Sequence, residues 1–414
     1  MKSARLIAFE ILHKIFTDNA YSNIALDNAV KEISEEKAFI SALVYGVVER
    51  KLTLDYFINK YVSSKPKPKI LTILRLGAYQ LLFMDKVPNS AAINESVKLT
   101  KEIRQDYYSS LVNAVLHKID ADREIPEDDL SVKYSVPQNL INMWIKQYGK
   151  ERVEAFLPAI NEKPPVFAVP NKLYVDADEL LYELMCDGIE GEVTDNLVKI
   201  TSSFDLSKSR AFKNGLFHIE DLSSYECAVA LGAKEGDTVL DMCSAPGGKA
   251  FTIAQCMNNN GTIYAFDIHN HRVSQIRDGA KRLGISIINA DINDAEVYSE
   301  SIPLADKILC DVVCSGFGII RRKPEIRYKE LDSVSDLPKI QLNILKTSSR
   351  YLKAGGTMIY STCTLNKKEN EKVVNAFLND NDNFTLVKEK TSFPCESGGD
   401  GFYFALLKKN ENRY

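Results

Sequence analysis

Residues 238–249, TVLDMCSAPGGK, restrict the fold more than any other stretch of the chain. Thr238–Asp241 is a short apolar run without polar alternation, the mark of a strand covered on both faces. Small residues and two glycines follow it directly, and a helical pattern begins at Lys249. A buried strand that runs through a glycine turn into a helix is the opening unit of a doubly wound sheet. The downstream pattern continues the alternation. Strands are predicted at Thr262–Asp267, 285–288, 307–311 and 357–362, with helices at 249–257, 271–283, 337–352 and 369–378. A terminal pair joins 384–387 to 402–407. Residues 223–414 are therefore expected to form an α/β domain.

The N-terminal part lacks that alternation. Ala4, Ile7, Ala8, Ile11, Leu12 and Ile15 recur at helical spacing, as do Ala42, Leu43, Gly46 and Val47, and then Leu54, Phe57, Ile58 and Tyr61. A proline- and lysine-bearing turn at 63–69 precedes Ile70, Ile73, Leu74, Gly77 and Leu81. Residues 1–122 are predicted to be an all-α bundle, and the acidic run ADREIPEDDL at 121–130 a linker. Between bundle and α/β domain, residues 131–222 are predicted to form a small α+β module. Its strands fall at 166–169, 173–175, 198–201 and 216–219, with a helix near 178–185. The lone tryptophan, Trp144, is expected in a core rather than on a base-stacking surface.

Composition narrows the class without naming it. Apolar residues make up 45% of 414, enough for a sizeable core, and the net charge of −4 gives no general affinity for nucleic acid. Any RNA site must be local. The eight cysteines form no CxxC pair, so they read as reduced thiols in a cytoplasmic protein. No apolar stretch is long enough to predict a membrane span, and no metal-ligand pattern occurs.

Two groups of residues carry chemistry. Pro246, Gly247 and Gly248 let a ligand approach the main chain, and the helix starting at Lys249 points its amide end there. Asp267, closing the second strand, can accept from both hydroxyls of a ribose, and Asp291 can reach an adenine amine. Ribose and adenine without a phosphate cradle suit S-adenosylmethionine better than ATP, with a dinucleotide-binding or purely structural domain as the alternatives. The second group is Cys314 and Cys363, just past the fourth and fifth strands, where ligands bind in open sheets. Paired thiols at that place suit methylation of a pyrimidine at C5. A thiolate adds to C6, which makes C5 nucleophilic, and the second thiol assists release. Asp311 is placed to hold the proton or charge that develops at N3. Cys186, Cys227, Cys256 and Cys310 read as inert core thiols. Arg321, Arg322, Lys323, Arg327 and Lys329 form a basic cluster suited to RNA phosphates.

These segments resemble the RsmB/Sun family of RNA cytosine-C5 methyltransferases. LDMCSAPGGK resembles its motif I, CDVVCSGFGIIRRKPEIR its motif IV, YSTCTLNKKENE its motif VI and DGFYFALLKK its closing strand. ILRLGAYQLLFMDKVPNSAAINESVKL resembles the NusB-like RNA-binding bundle of that branch. The resemblance implies a Rossmann-like methyltransferase domain at 223–414, a NusB-like domain at 1–122 and an RNA-binding or linker module at 131–222. It implies Cys363 as nucleophile, Cys314 in product release and Asp311 at both cytosine and cofactor. Cys243, Ser244, Ala245, Pro246, Gly247, Gly248, Lys249, Asp267, Asp291 and Asp311 would bind S-adenosylmethionine. The implied substrate is cytosine 967 of the 16S RNA, and the expected state is a monomer without metal or membrane. A transfer RNA substrate, or a non-catalytic assembly factor, are the alternatives. The chain departs from the family pattern at Val313, where proline is usual and the loop is expected to lose rigidity. Glu220-Asp221 stands for Gln-Asp, and Cys395-Glu396-Ser397 is unusual before Asp400.

Overall fold

The computed structural model describes residues 2–18, 22, 25, 26, 29 and 36–411. It divides into two compact units, Met1–Glu162 with Ile320–Leu331, and Lys163–Ile319 with Asp332–Tyr414.

The first unit is helical among its described residues: Ala4–Asp18, Lys37–Glu49, Lys51–Tyr61, Pro68–Phe83, Asn89–Glu102, Ser109–Ala121, Leu130–Tyr134, Gln138–Tyr148 and Lys150–Phe156. Pro68 opens its helix at a position where a missing N–H costs no bond. That helix is the hub, with Ile70, Ile73, Leu74, Leu76, Gly77, Ala78 and Leu81 all buried. A Cβ on Gly77 would stand 2.6 Å from Leu116 Cδ1, so the helices cross at a distance that glycine permits. The predicted faces are the buried ones, with one rotation. On Lys37–Glu49 it is Ile40, Leu43, Val44, Val47 and Val48 that are buried, while Ala42 is exposed. Trp144 is fully buried and meets Phe156 edge-on at 5.2 Å between ring centroids.

Two segments group differently from the sequence expectation. The helices at 130–156 belong to this unit, not to the β-rich module, because polar contacts tie them to the bundle. Thr53 Oγ1 donates to the Val132 carbonyl, and the Leu52 amide donates to Ser135 Oγ at 2.9 Å. Ile320–Leu331 also belongs here, and this corrects the reading of the basic cluster. Arg327 is fully buried, and its Nη1 is directed at four acceptors: Asn161 Oδ1 at 2.9 Å and the carbonyls of Glu49, Ser135 and Tyr134 at 3.0, 3.3 and 3.4 Å. Arg321 is also buried. Neither is a surface cation awaiting a phosphate. Arg327 instead ties together the end of one helix, the turn at 134–135 and Asn161.

The second unit carries two sheets. The smaller one, in the order β2-β3-β1-β4, pairs β1 (Val166–Pro170), β2 (Gly191–Thr194), β3 (Leu197–Ile200) and β4 (Phe217–Glu220), antiparallel throughout. The predicted strand at 173–175 is a turn instead: the Leu173 amide donates to Asn171 Oδ1 and the Tyr174 amide to the Asn171 carbonyl. β2 has no counterpart among the predicted strands, since GEVT offers one apolar residue and no alternation.

The larger sheet contains β5 (Thr238–Asp241), β6 (Thr262–Asp267), β7 (Ile288–Ile292), β8 (Ala305–Asp311), β9 (Leu352–Thr362), β10 (Phe384–Ser392) and β11 (Phe402–Lys409). Its order is β10-β11-β9-β8-β5-β6-β7. β5 through β9 run parallel, and β11 runs antiparallel to β9 and β10. This is the doubly wound α/β architecture. The third strand lies later than the predicted 285–288. The Ile285 amide is bound to the Ala280 carbonyl and the Ser286 amide to Asn259 Oδ1, so both are held by segments that precede the strand. No helix among the described residues is long and apolar enough to cross a membrane.

Replacing Arg327 with methionine removes the shared donor from these buried acceptors and is expected to cost about 2–4 kcal/mol, read as a lowered urea midpoint. Lys323→Met, at an exposed position of the same segment, is expected to stay within about 0.5 kcal/mol of the parent protein.

Candidate active site

The sheet order makes β5 the strand at which successive connections change direction, with β6 on one side and β8 on the other. Because β5, β6, β7, β8 and β9 are parallel, their carboxyl ends share one edge, the usual ligand side of such a sheet. The residues proposed for chemistry lie on the strand ends that form this edge, on the loops that leave it or, for Gly248 and Lys249, at the start of the helix that follows.

The glycine loop follows from local geometry. Gly247 has φ +107° and lies against Phe251, whose ring would stand 2.6 Å from an added Cβ. A side chain is therefore excluded on both counts. The Ser244 amide donates to the Phe266 carbonyl at 2.7 Å, and the Gly247 amide to the Ser244 carbonyl at 2.8 Å. Helix Gly248–Cys256 starts here. Lys249 does not point into a free cleft: its Nζ donates to Asp311 Oδ2 at 2.7 Å and to Ser224 Oγ at 3.2 Å. Burial opposes its charge, yet the Asp311 carboxylate holds the ammonium above the ordinary lysine value. Asp311 Oδ1 accepts from Ser361 Oγ at 2.8 Å. Asp311 is thus held from both sides, by the Lys249 ion pair and by the Ser361 hydroxyl.

Cys314 and Cys363 are brought together, with their sulfurs 3.3 Å apart. β8 and β9 are paired so that Asp311 faces Ser361, which sets the two loops side by side. A backbone contact fixes Cys363 from the other side. The Gly318 amide donates to the Cys363 carbonyl at 3.0 Å, and the Gly401 amide to the Gly318 carbonyl at 2.9 Å. A Cβ on Gly318 would meet the Gly401 carbonyl at 1.9 Å, which accounts for the second glycine of CSGFG and the glycine of DGFY. The Cys314 thiol is pushed well above the ordinary value by its bond to Cys363 first and burial second. The Val313 carbonyl accepts from Gln341 Nε2 at 2.9 Å, and the Ser315 amide donates to Glu369 Oε2 at 2.8 Å. The loop around Val313 is therefore pinned at both sides without a proline.

The other cysteines separate. Cys227 and Cys310 are buried and pushed up to about 12 by desolvation, as inert thiols are. Cys256 is half-buried, while Cys186 is exposed at the end of its helix and is not a core residue.

A cavity of 280 Å³ opens beside the strand ends, lined by Cys243, Ala245, Asp267, Asn293, Asp294 and Asp311, among others. Asp267 is nearly buried, and its Oδ1 accepts from the His269 amide at 2.9 Å. Asp291 is not in the lining. The later start of β7 keeps it within the strand, where its carboxylate is largely exposed, 3.9 Å from Arg277. Asn293, just past the strand, is in the lining. Several polar atoms at these strand ends are buried without a well-formed hydrogen bond: both Asp241 oxygens, Ser244 Oγ and Asn293 Nδ2. Sequence reasoning missed Asp241, Asn293, Ser361, Gln341, Glu369 and Asn370. Asp241 closes the same TVLD run as the glycine loop, and Glu369 and Asn370 stand within STCTLNKKENE, so both signals were present. Among the described residues no cluster of His, Cys, Asp and Glu is arranged to hold a metal ion.

Known proteins match over nearly the whole chain. The family model described as 16S rRNA methyltransferase RsmB/F matches residues 228–408, and the NusB family model matches residues 2–121. The probable ribosomal RNA small subunit methyltransferase B of Bacillus subtilis is 37% identical, over 98% of this chain and 99% of its own. The protein of that name from Synechocystis is 31% identical, over 99% of this chain and all of its own. The crystal structure of PH0851 superposes with a TM-score of 0.83 at 27% identity, covering 99% of each chain.

Burial raises the Asp241 carboxyl from the usual 3.8 to about 7. Between these values the folded state binds the extra proton, so this group lowers stability as pH rises and the loss is complete above about 7. The thermal midpoint of Asp241→Asn minus that of the parent protein should therefore grow by several degrees from pH 4 to pH 8 and then level off. A difference that stays flat across that range contradicts the assignment.

Proposed function

Because the chain belongs to the ribosomal RNA small subunit methyltransferase B family, we propose that this RNA methyltransferase acts at C5 of a cytosine in small-subunit ribosomal RNA, with cytosine 967 as the position that the motif resemblance implies. The observation that carries this reading is the 3.3 Å approach of the Cys314 and Cys363 sulfurs beside Asp311. Two thiols this close at a ligand-binding sheet edge suit covalent pyrimidine chemistry and have no evident structural use in a reduced protein.

The residues present fit S-adenosylmethionine. Asp267 offers a carboxylate to a ribose, the loop 243–248 offers close main-chain approach, and Asp241, Ser244 and Asn293 place buried polar atoms at the strand ends. Asp291 remains a proposed contact, with Asn293 nearer to the cavity. When bound, the cofactor supplies an electrophilic methyl group. The protein's own residues do the rest. The Cys363 thiolate adds to C6 of the cytosine, and the electron density displaced toward N3 is met by the Lys249–Asp311 pair. Ion-paired Asp311 is an acceptor, suited to the cytosine amino group. After C5 is methylated, its proton leaves to water and the electron pair re-forms the C5–C6 double bond. The C6–S pair returns to Cys363, and the Cys314 S–H protonates that departing sulfur. The proton then passes back between the two sulfurs, restoring both.

In reactions of small-subunit RNA with labelled S-adenosylmethionine, Cys363→Ala is expected to abolish 5-methylcytidine formation and to give no covalent complex. Cys314→Ala is expected to accumulate an RNA–protein adduct that survives denaturing electrophoresis. The reverse pattern would reverse the roles of the two cysteines, and no adduct or product with either parent or variant would sink the reading.

A further inference from the structure

Glu369 is fully buried in the turn before the helix Glu371–Asp380, outside the cavity lined by Asp267 and Asp311. Its Oε1 accepts from Ser315 Oγ at 2.6 Å and Asn366 Nδ2 at 2.8 Å. Its Oε2 accepts from the Ser315 amide at 2.8 Å and Gln341 Nε2 at 3.0 Å. All four donors are neutral. Four neutral donors are the full set that an ionised carboxylate can accept at its two oxygens. Among the described residues, no lysine, arginine or histidine forms an ion pair with it.

The neighbours show what this charge is next to. Ser315 follows Cys314 directly, and Gln341 bridges Glu369 to the Val313 carbonyl, so both sides of Cys314 are bound to the Glu369 network. The next residue does the same for the other thiol. Asn370 Oδ1 accepts from Thr362 Oγ1 at 2.6 Å, and its Nδ2 donates to the Thr364 carbonyl at 2.9 Å, bracketing Cys363. Four titratable groups bear on Cys314: Cys363, Glu369, Asp311 and Tyr360. Asp311 is compensated by Lys249. Tyr360 donates its hydroxyl to the Glu369 carbonyl, and burial pushes it well above the ordinary phenol value, so it is neutral. Apart from Cys363 itself, Glu369 is the negative charge near Cys314 without a counter-ion among the described residues.

We propose that Glu369 is a positioning residue that assigns the roles of the two cysteines: its uncompensated charge keeps Cys314 as the proton-bearing thiol and leaves Cys363 to serve as the thiolate. The assignment deepens the covalent reading above and rests on it for its catalytic meaning. It adds a fixed charge to the thiol–thiol contact and the burial that already favour the proton on Cys314. It also supplies the proton that Cys314 gives to the departing Cys363 sulfur. That proton stays on Cys314 through the addition step because the alternative would place a second negative charge beside Glu369.

Alkylation by iodoacetamide tests this without RNA, since both cysteines are half-buried and only the thiolate reacts. Rates at each cysteine are read by peptide mass spectrometry from pH 7 to 9. In the parent protein Cys363 is expected to react at least about tenfold faster than Cys314. Glu369→Gln should raise the Cys314 rate about tenfold and move its pH midpoint down by about one unit, and Glu369→Asp should restore the parent ratio. Gln341→Met removes hydrogen bonds from the same network but no charge, and should leave the Cys314 midpoint in place. An equal shift in Gln341→Met would mean that loop position, not charge, sets the ratio, and would overturn the proposal. So would equal alkylation of the two cysteines in the parent protein, which can be read even if Glu369→Gln fails to fold. A parent protein that shows the expected ratio and shift but forms no RNA adduct supports the role of Glu369 in thiol protonation and counts against the covalent reading alone.

Discussion

The pairing of β8 with β9 is the constraint on which the site depends. Asp311 and Ser361 face one another across these parallel strands, and a hydrogen bond between their side chains joins them. Side chains alternate along a strand, so a slip of one residue would turn one of the pair to the opposite face of the sheet. It would also separate Cys314 from Cys363, since each follows its strand by only a few residues. The antiparallel β11 then supports β9 on its far side, and the Gly401–Gly318–Cys363 backbone contacts close the arrangement. Motifs far apart in the chain meet because one strand register brings them together.

Around that register the buried charges are arranged unequally. Asp311 has Lys249 as counter-ion. Glu369 has four neutral donors and no cation among the described residues. Asp241 is buried with neither oxygen in a well-formed hydrogen bond, and is pushed up to about 7. The first is a carboxylate suited to receive hydrogen bonds from a substrate. The second is a fixed negative charge that acts on a neighbouring thiol. The third is a group whose charge would be favoured by the arrival of a cation or donor. Three acids of similar chemistry thus behave differently because their partners differ.

Much of this is legible in the sequence, for identifiable reasons. β5 and β6 can be located to the residue, since TVLD and TIYAFD are dense apolar runs bounded by turn residues. That Cys314 and Cys363 lie near one sheet edge follows from each standing just past the end of a strand in a parallel sheet, while their contact depends on the β8–β9 register. Features set by long-range hydrogen bonds are not legible. The third strand reads too early because ISII is apolar, although Ile285 and Ser286 are bound to the previous helix end and to Asn259. That shift leaves Asp291 inside the strand and Asn293 at the cavity. The run IRRKPEIR looks like a solvated basic face, yet Arg327 is enclosed by carbonyls from residues 49, 134 and 135. No local pattern announces a burial that depends on residues so distant in sequence. Glu369 escapes notice for a related reason: between lysines and a second glutamate it has the setting of a surface residue, and only its four donors show otherwise.

The most direct test of the account is to find where the RNA is attached. Digestion of a trapped Cys314→Ala complex with nuclease and protease, followed by mass spectrometry, locates the cytidine-bearing peptide. The account predicts a cytidine adduct on the peptide that carries Cys363. Attachment at any other residue would contradict it.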